Sequence, residues 1–167
     1  MAHVQTVDLN APWQRDTLLQ LRTSKMKQMH NLSITTGIYK LPRTERVWCS
    51  STGLESDEHD LTFHGGLEKA VHQYYPGHYA SWRREFPEGQ NFDVGSFGEN
   101  LVSEKMNERN VCVGDKIRVG EALLQVFFNA PSYVAHSQMA KLSIQVFGAR
   151  YRHSRCLAPQ ALVEKLY

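Results

Sequence analysis

Apolar and polar positions along this chain change period several times, and the changes mark the elements. Residues 4–9 alternate every second position, the spacing of a first strand with one apolar face. From Trp13 to Met29 the apolar residues Trp13, Leu18, Leu19, Leu21 and Met26 recur at an irregular, partly helical spacing. That spacing predicts a weak amphipathic helix or an irregular arm, with Arg22, Lys25 and Lys27 on a solvated face. Residues 36–40 and 46–49 read as two short strands joined by a turn through Pro42. Between Leu67 and Phe86, apolar residues at 67, 70, 71, 74, 75, 79, 82 and 86 keep close to a helical period. Pro76-Gly77 interrupts it, so two short helices are predicted, over 67–75 and 77–86.

The second half of the chain is strand-rich. A glycine turn, Phe97-Gly98-Glu99-Asn100, leads into a strand, and residues 106–109 form a helical turn. The clearest strands are 111–119 and 122–128, joined through Gly120-Glu121 as a tight hairpin. Residues 144–147 suit a short strand. Pro159, with Leu162, Val163 and Leu166 behind it, predicts a terminal helix. Hairpins dominate and no regular β-α-β alternation appears. The expected fold is therefore mostly β with helices (α+β), a small antiparallel β-barrel carrying its helices outside.

Composition narrows the function classes. At 167 residues, with 41% hydrophobic and 22% charged content, the chain suits one globular domain. A formal charge of +2 gives no reason to expect nucleic acid. No apolar run approaches the roughly 20 residues of a membrane span, so no membrane is expected. The first residues lack a basic n-region and an apolar h-region, which points to the cytoplasm. Cys49, Cys112 and Cys156 are scattered and odd in number, fitting neither a disulfide framework nor a metal knuckle.

Candidate chemistry concentrates between Gly53 and Leu101. An acidic loop, Asp57-Glu58-His59-Asp60, runs into His64-Gly65-Gly66. Its spacing matches no metal template, so no metal is expected there. Glycines beside His64 allow the backbone to turn and a ligand to approach closely. Lys40 ends a strand beside a glycine, and Tyr74 belongs to an aromatic stripe that suits either core or a flat ligand. Glu99 and Asn100 close the second glycine turn.

Taken in order, these segments resemble the MOSC family, the domain named after the C-terminal part of molybdenum cofactor sulfurases. The resemblance rests on Thr36-Gly37-Ile38-Tyr39-Lys40, Gly53-Leu54-Glu55-Ser56-Asp57, and His64-Gly65-Gly66 with Lys69-Ala70-Val71 and Tyr74. It continues through Trp82, Gly95-Ser96-Phe97-Gly98-Glu99-Asn100-Leu101, Asn107-Glu108, and Val113-Gly114-Asp115-Lys116-Ile117. Last come Val119-Gly120 and Leu124-Gln125-Val126, so that about residues 35–133 are covered. It implies a β-barrel whose glycine turns and strand ends cup a molybdenum cofactor. It also implies enzymes that reduce N-hydroxylated compounds or handle the cofactor's sulfur.

Two departures qualify that implication. The family's cysteine segment, Pro-Arg-x-Pro-Cys, reads Asn129-Ala130-Pro131-Ser132-Tyr133 here, with Ser132 at the cysteine and Asn129 at the arginine. A neutral, hard hydroxyl is a poor substitute for a soft thiolate, and losing the arginine removes a bidentate anion partner. From Val134 onward the family pattern is absent. The expected organisation is a barrel domain over 1–133 and a divergent tail over 134–167, packed on the barrel or on a partner. A second subunit would cover an open strand edge, so a homodimer is among the expectations.

The resulting expectation is a MOSC-fold enzyme without metal or cofactor, acting on a small organic substrate by isomerase- or lyase-type acid–base chemistry. His64, Asp57, Glu99 and His136 are its candidate catalytic groups. Lys40, Tyr74, Asn100, Asn129, Ser132 and Tyr133 are its candidate substrate contacts. The alternatives are a molybdenum-cofactor-dependent oxidoreductase of N-hydroxylated compounds, and a non-catalytic small-molecule-binding paralogue.

Overall fold

A computed structural model describes residues 8, 10–29, 32–60, 70–88, 92–131, 140–147 and 155–166, with backbone alone for 128–131, 140–147 and 155–156. The strand expected over 4–9 lies almost wholly outside these residues.

Between Trp13 and Met29 the chain is a strand, β1 (Arg15–Thr23), rather than a helix. Its pairing with β8 (Leu101–Ser103) slips between Leu18 and Gln20. A β-bulge of this kind inserts one residue and breaks the two-residue alternation. Leu18 and Leu21, three apart, are thereby both buried, at 1% and 0% exposure. That spacing imitated a helix turn in the sequence.

After β1 the short strands β2 (Lys27–Gln28) and β3 (Thr35–Thr36) pair only with each other, while β4 (Leu41–Pro42) returns to β1. The two strands expected at 36–40 and 46–49 do not form a hairpin together. β5 (Val47–Ser50) pairs with β6 (Gly53–Leu54) and with β12 (Arg155–Leu157) in a separate small sheet. Pro42 explains part of this, because it lacks the N–H that a central ladder position needs.

The helix expected over 67–75 is corrected in its described part. Val71–Gln73 is β7, with Val71 and Gln73 buried and His72 half-buried, the signature of a strand between two neighbours. β7 pairs antiparallel with β11 (Ala140–Phe147) and parallel with β8. The helix expected over 77–86 is present as α1 (His78–Glu85). The hairpin through Gly120-Glu121 is present too, as β9 (Lys116–Val119) and β10 (Ala122–Pro131), with Val119 opposite Ala122.

The expected terminal helix is instead β13 (Leu162–Leu166). Apolar residues at 162, 163 and 166 fit a helix face, yet Leu162 is half exposed while Val163 is fully buried, which is strand alternation. β13 pairs with β9 on one side and β1 on the other. The ring β13–β9–β10–β11–β7–β8–β1 therefore returns to β13 and closes the barrel within one chain. The chain beyond Val134 supplies β11, β12 and β13 to these sheets. Leu18, Leu21, Val71, Leu101, Ile117, Val119, Leu124, Val126 and Val163 belong to the buried apolar core. No helix among the described residues is long and apolar enough to cross a membrane.

Because β1 is a strand with a bulge, core burial there is specific to position. Leu21→Ala should cost about 2–5 kcal/mol of unfolding free energy. Leu19→Ala, at a position 40% exposed, should stay within about 0.5 kcal/mol. Urea denaturation of the two variants checks this, and equal losses would contradict the register of β1.

Candidate functional site

Loops at the ends of β1, β6 and β8 meet around one carboxylate. Asp57 Oδ1 accepts hydrogen bonds from the Ser24 backbone N–H at 3.0 Å and from Lys40 Nζ at 2.5 Å. Its Oδ2 accepts from Lys40 Nζ at 2.6 Å and from Asn100 Nδ2 at 2.9 Å. The Lys40 and Asp57 side chains are only 6% and 3% exposed, so this is a buried ion pair. Removing two charges from water is costly, and only close geometry with every lone pair engaged offsets it. Asp57 meets that condition.

Asn100 carries the cluster into the barrel. Its Nδ2 also donates to the Arg22 carbonyl at 3.1 Å, and its Oδ1 accepts from the His72 N–H at 3.1 Å. Its own backbone N–H donates to the His72 carbonyl at 2.7 Å, while its carbonyl accepts from the Arg22 N–H at 2.8 Å. One amide thus ties β1, β7 and the acidic loop together.

Arg22 and His72 are site residues that the sequence reading missed. Arg22, assigned there to a solvated face, is 9% exposed. Its guanidinium donates to the Lys40 carbonyl through Nε at 3.2 Å and Nη2 at 2.7 Å, and to Gln20 through Nη1 at 2.5 Å. It also lies where a Cβ on Gly95 would be, and Gly95 has φ +106°, so glycine is required there on both counts. The His72 ring places Nδ1 3.4 Å from the Gly98 carbonyl. Reading β1 and β7 as strands was the signal that would have found both.

Glu99 is fully buried. Its carboxylate accepts from the backbone N–H groups of Gly95 (2.6 Å) and Phe97 (3.2 Å) and from the Tyr79 hydroxyl. Burial, reinforced by the Glu99 charge, pushes the Tyr79 hydroxyl far above its ordinary pKa, so it stays a neutral donor. Tyr74 is buried in an aromatic cluster with Tyr79 and Phe97, and its hydroxyl accepts from Trp82 Nε1 at 2.6 Å. Burial raises the Tyr74 pKa as well.

Of the residues singled out in the sequence, the structure brings Lys40, Asp57 and Asn100 into direct contact. It places Glu99 in the adjoining Gly95 turn and Tyr74 in the aromatic cluster behind it. His64, Ser132, Tyr133 and His136 lie outside the described residues, and Asn129 is described by its backbone alone.

The thiols decide how the described residues relate to the cofactor that the resemblance implies. Cys49 sits in the apolar core, and burial pushes its thiol up to about 12, so it is neutral at ordinary pH. Cys112 is exposed on the turn before β9, its N–H held by Asp115. Neither belongs to the loops that carry the Lys40–Asp57–Asn100 cluster. Among the described residues no group of three or more His, Cys, Asp or Glu is arranged to hold a metal ion. Neither described thiol is therefore placed to anchor a molybdenum centre at this cluster, while position 132 and the Cys156 side chain lie outside the described residues.

Two outcomes follow. Asp57→Asn leaves Lys40 buried beside a neutral amide and should cost about 3–5 kcal/mol in urea unfolding, whereas Lys40→Met with Asp57→Leu should recover most of that loss. Protein made in a host that supplies the cofactor should carry far less than one molybdenum per chain by elemental analysis. The Ser132→Cys, Asn129→Arg double variant should take up more.

Comparison with known proteins agrees with the barrel. Residues 60–152 match the model of the MOSC domain, so the family pattern continues past Val134, where the sequence reading found none. The chain is 43% identical over 126 residues to a protein of Gibberella moniliformis named Reductase, an alignment covering 74% of this chain and 22% of that protein. It is 42% identical over 91 residues to Protein YiiM of Escherichia coli, covering 53% of this chain and 41% of the relative. The crystal structure of YiiM from Escherichia coli superposes with a TM-score of 0.67 at 24% identity, over 91% of this chain and 70% of that one, which shows a shared fold. The chain spans well under two thirds of the length of these two curated relatives. The matched segment runs from the acidic loop through β11 and takes in more than half of the 167 residues: this chain belongs to the MOSC domain family.

Proposed function

We propose that this chain is the substrate-holding domain of a reductase acting on N-hydroxylated small molecules. The observation that carries this reading is the engagement of both candidate carboxylates. Asp57 receives four hydrogen bonds, from Ser24, Lys40 and Asn100. Glu99 receives three, from Gly95, Phe97 and Tyr79. A general base needs a free lone pair within reach of the proton it takes. Asp57 has no lone pair left for that role and Glu99 is sealed from solvent, so both carboxylates serve as fixed supports, while His64 and His136, the other groups of the isomerase or lyase reading, lie outside the described residues.

The printed name of the Gibberella moniliformis relative, at 43% identity, supports reductive chemistry. Reduction of an N–OH group breaks the N–O bond. It takes two electrons and two protons, leaves N–H on the substrate and releases the oxygen as water. This chain matches 22% of that relative's length, and in this reading the electrons arrive from a redox group outside the matched residues. The domain contributes a rigid rim in which Lys40, Asp57, Asn100 and Arg22 hold three loops in place, so that little reorganisation is needed when a substrate binds.

The test is donor dependence. The full chain is expected to bind an amidoxime such as benzamidoxime in titration calorimetry, and to convert it to the amidine only when a reduced redox partner protein is supplied; absence of binding would overturn the reading. Turnover of a substrate with no donor present, lost in His64→Ala by about 10²–10⁴-fold, would establish acid–base chemistry instead.

A further inference from the structure

The segment between β1 and β4 has a composition that the site does not use. Residues 24–43 contain Lys25, Lys27, Lys40 and Arg43 and no aspartate or glutamate. Lys40 is turned inward to Asp57, whereas Lys25 and Lys27 are exposed. The middle of the segment is the two-stranded sheet β2–β3, apart from the barrel. Its base is anchored by the Ser24 hydroxyl on the Gly37 carbonyl and by the Met26 N–H on Glu58, the acidic residue at its foot. Beyond that base the described hydrogen bonds are internal, such as the Met29 N–H to the Ile34 carbonyl at 2.7 Å. Large apolar side chains stand in water along the segment: Leu32 50%, Ile34 58%, Tyr39 47% and Leu41 59% exposed.

The geometry points to this arm as a docking element for an anionic lipid surface. Leu32 and Ile34 stand exposed before β3 and Lys25 and Lys27 lie exposed on the incoming side, the pairing of apolar and cationic groups that an interfacial segment needs. Apolar groups enter the acyl boundary while the cations stay at the headgroups. A protein partner suits the arm less well. Specific protein interfaces take about 20–30 residues a side, more than a two-stranded arm offers, and lysine is depleted in them. Near an anionic bilayer, by contrast, each lysine contributes independently. The described residues hold no spanning helix and this reading needs none, since the arm would rest on the surface rather than cross it. This inference stands apart from the reductase reading.

Sedimentation of the full chain with lipid vesicles tests it. Binding is expected to phosphatidylcholine vesicles containing a third phosphatidylserine, not to phosphatidylcholine alone, and should weaken as salt is raised. Lys25→Glu with Lys27→Glu should lower apparent affinity about tenfold or more. Leu32→Ser with Ile34→Ser should weaken binding to the same vesicles, while Arg84→Glu, exposed on α1, should leave it unchanged. All these positions are exposed, so circular dichroism should show each variant folded. Failure of the unmodified chain to bind anionic vesicles overturns the assignment, as does full binding by both arm variants. Retention on immobilised polyglutamate without vesicle binding would also overturn it, assigning the arm to an acidic protein instead.

Discussion

Everything at the rim of this barrel depends on the cost of burying one carboxylate. Asp57 has left water almost completely, and an isolated charge in such a place would be strongly disfavoured. Its four hydrogen bonds offset that cost only if Ser24, Lys40 and Asn100 are all in position. Each of those residues belongs to a different segment, so satisfying one side chain fixes three stretches of chain at once. Asn100 extends the demand to β7 through both its amide and its backbone. Arg22 extends it to the Gly95 turn, where Glu99 imposes a second buried carboxylate with its own fixed donors. The rim is one coupled network rather than a set of neighbouring residues.

That coupling reshapes the functional picture. Side chains that look like catalytic apparatus in a linear sequence can instead be the means by which loops are held. Lys40 and Asp57 neutralise each other, and the Glu99 carboxylate is closed into its own turn. A domain built this way is suited to presenting a fixed surface rather than to moving its own carboxylates.

How much of this was legible in the sequence depended on how local the determining physics was. The β9–β10 hairpin was legible because Gly120-Glu121 specifies its own turn. Lys40, Asp57 and Asn100 could be singled out because each falls in a segment that resembles the family's, although their contacts with one another could not be read from the sequence. β1 was misread because the bulge at Leu18 to Gln20 substitutes a three-residue spacing for the alternation that marks a strand. β13 was misread because its pattern is set by neighbours far away in sequence: only contact with β1 and β9 decides that Val163 faces inward and Leu162 outward. Arg22 followed β1 into the wrong class, since its burial is invisible until the strand that carries it is recognised.

The pairing of β1 with β13 also orders events in time. Arg15 lies opposite Glu164, and Thr17 opposite Leu162, so strands at nearly opposite ends of the sequence must meet. During synthesis β1 emerges early, with β8 its partner on one side and β4 holding Arg22–Thr23 on the other, but its Arg15–Thr17 stretch stays unpaired on that edge until residues 162–166 have left the ribosome. Contacts between such distant segments slow folding, because the entropy of closing the loop is lost before the contact rewards it. Until β13 arrives, that stretch of β1 is a bare strand edge, open to pairing with another copy.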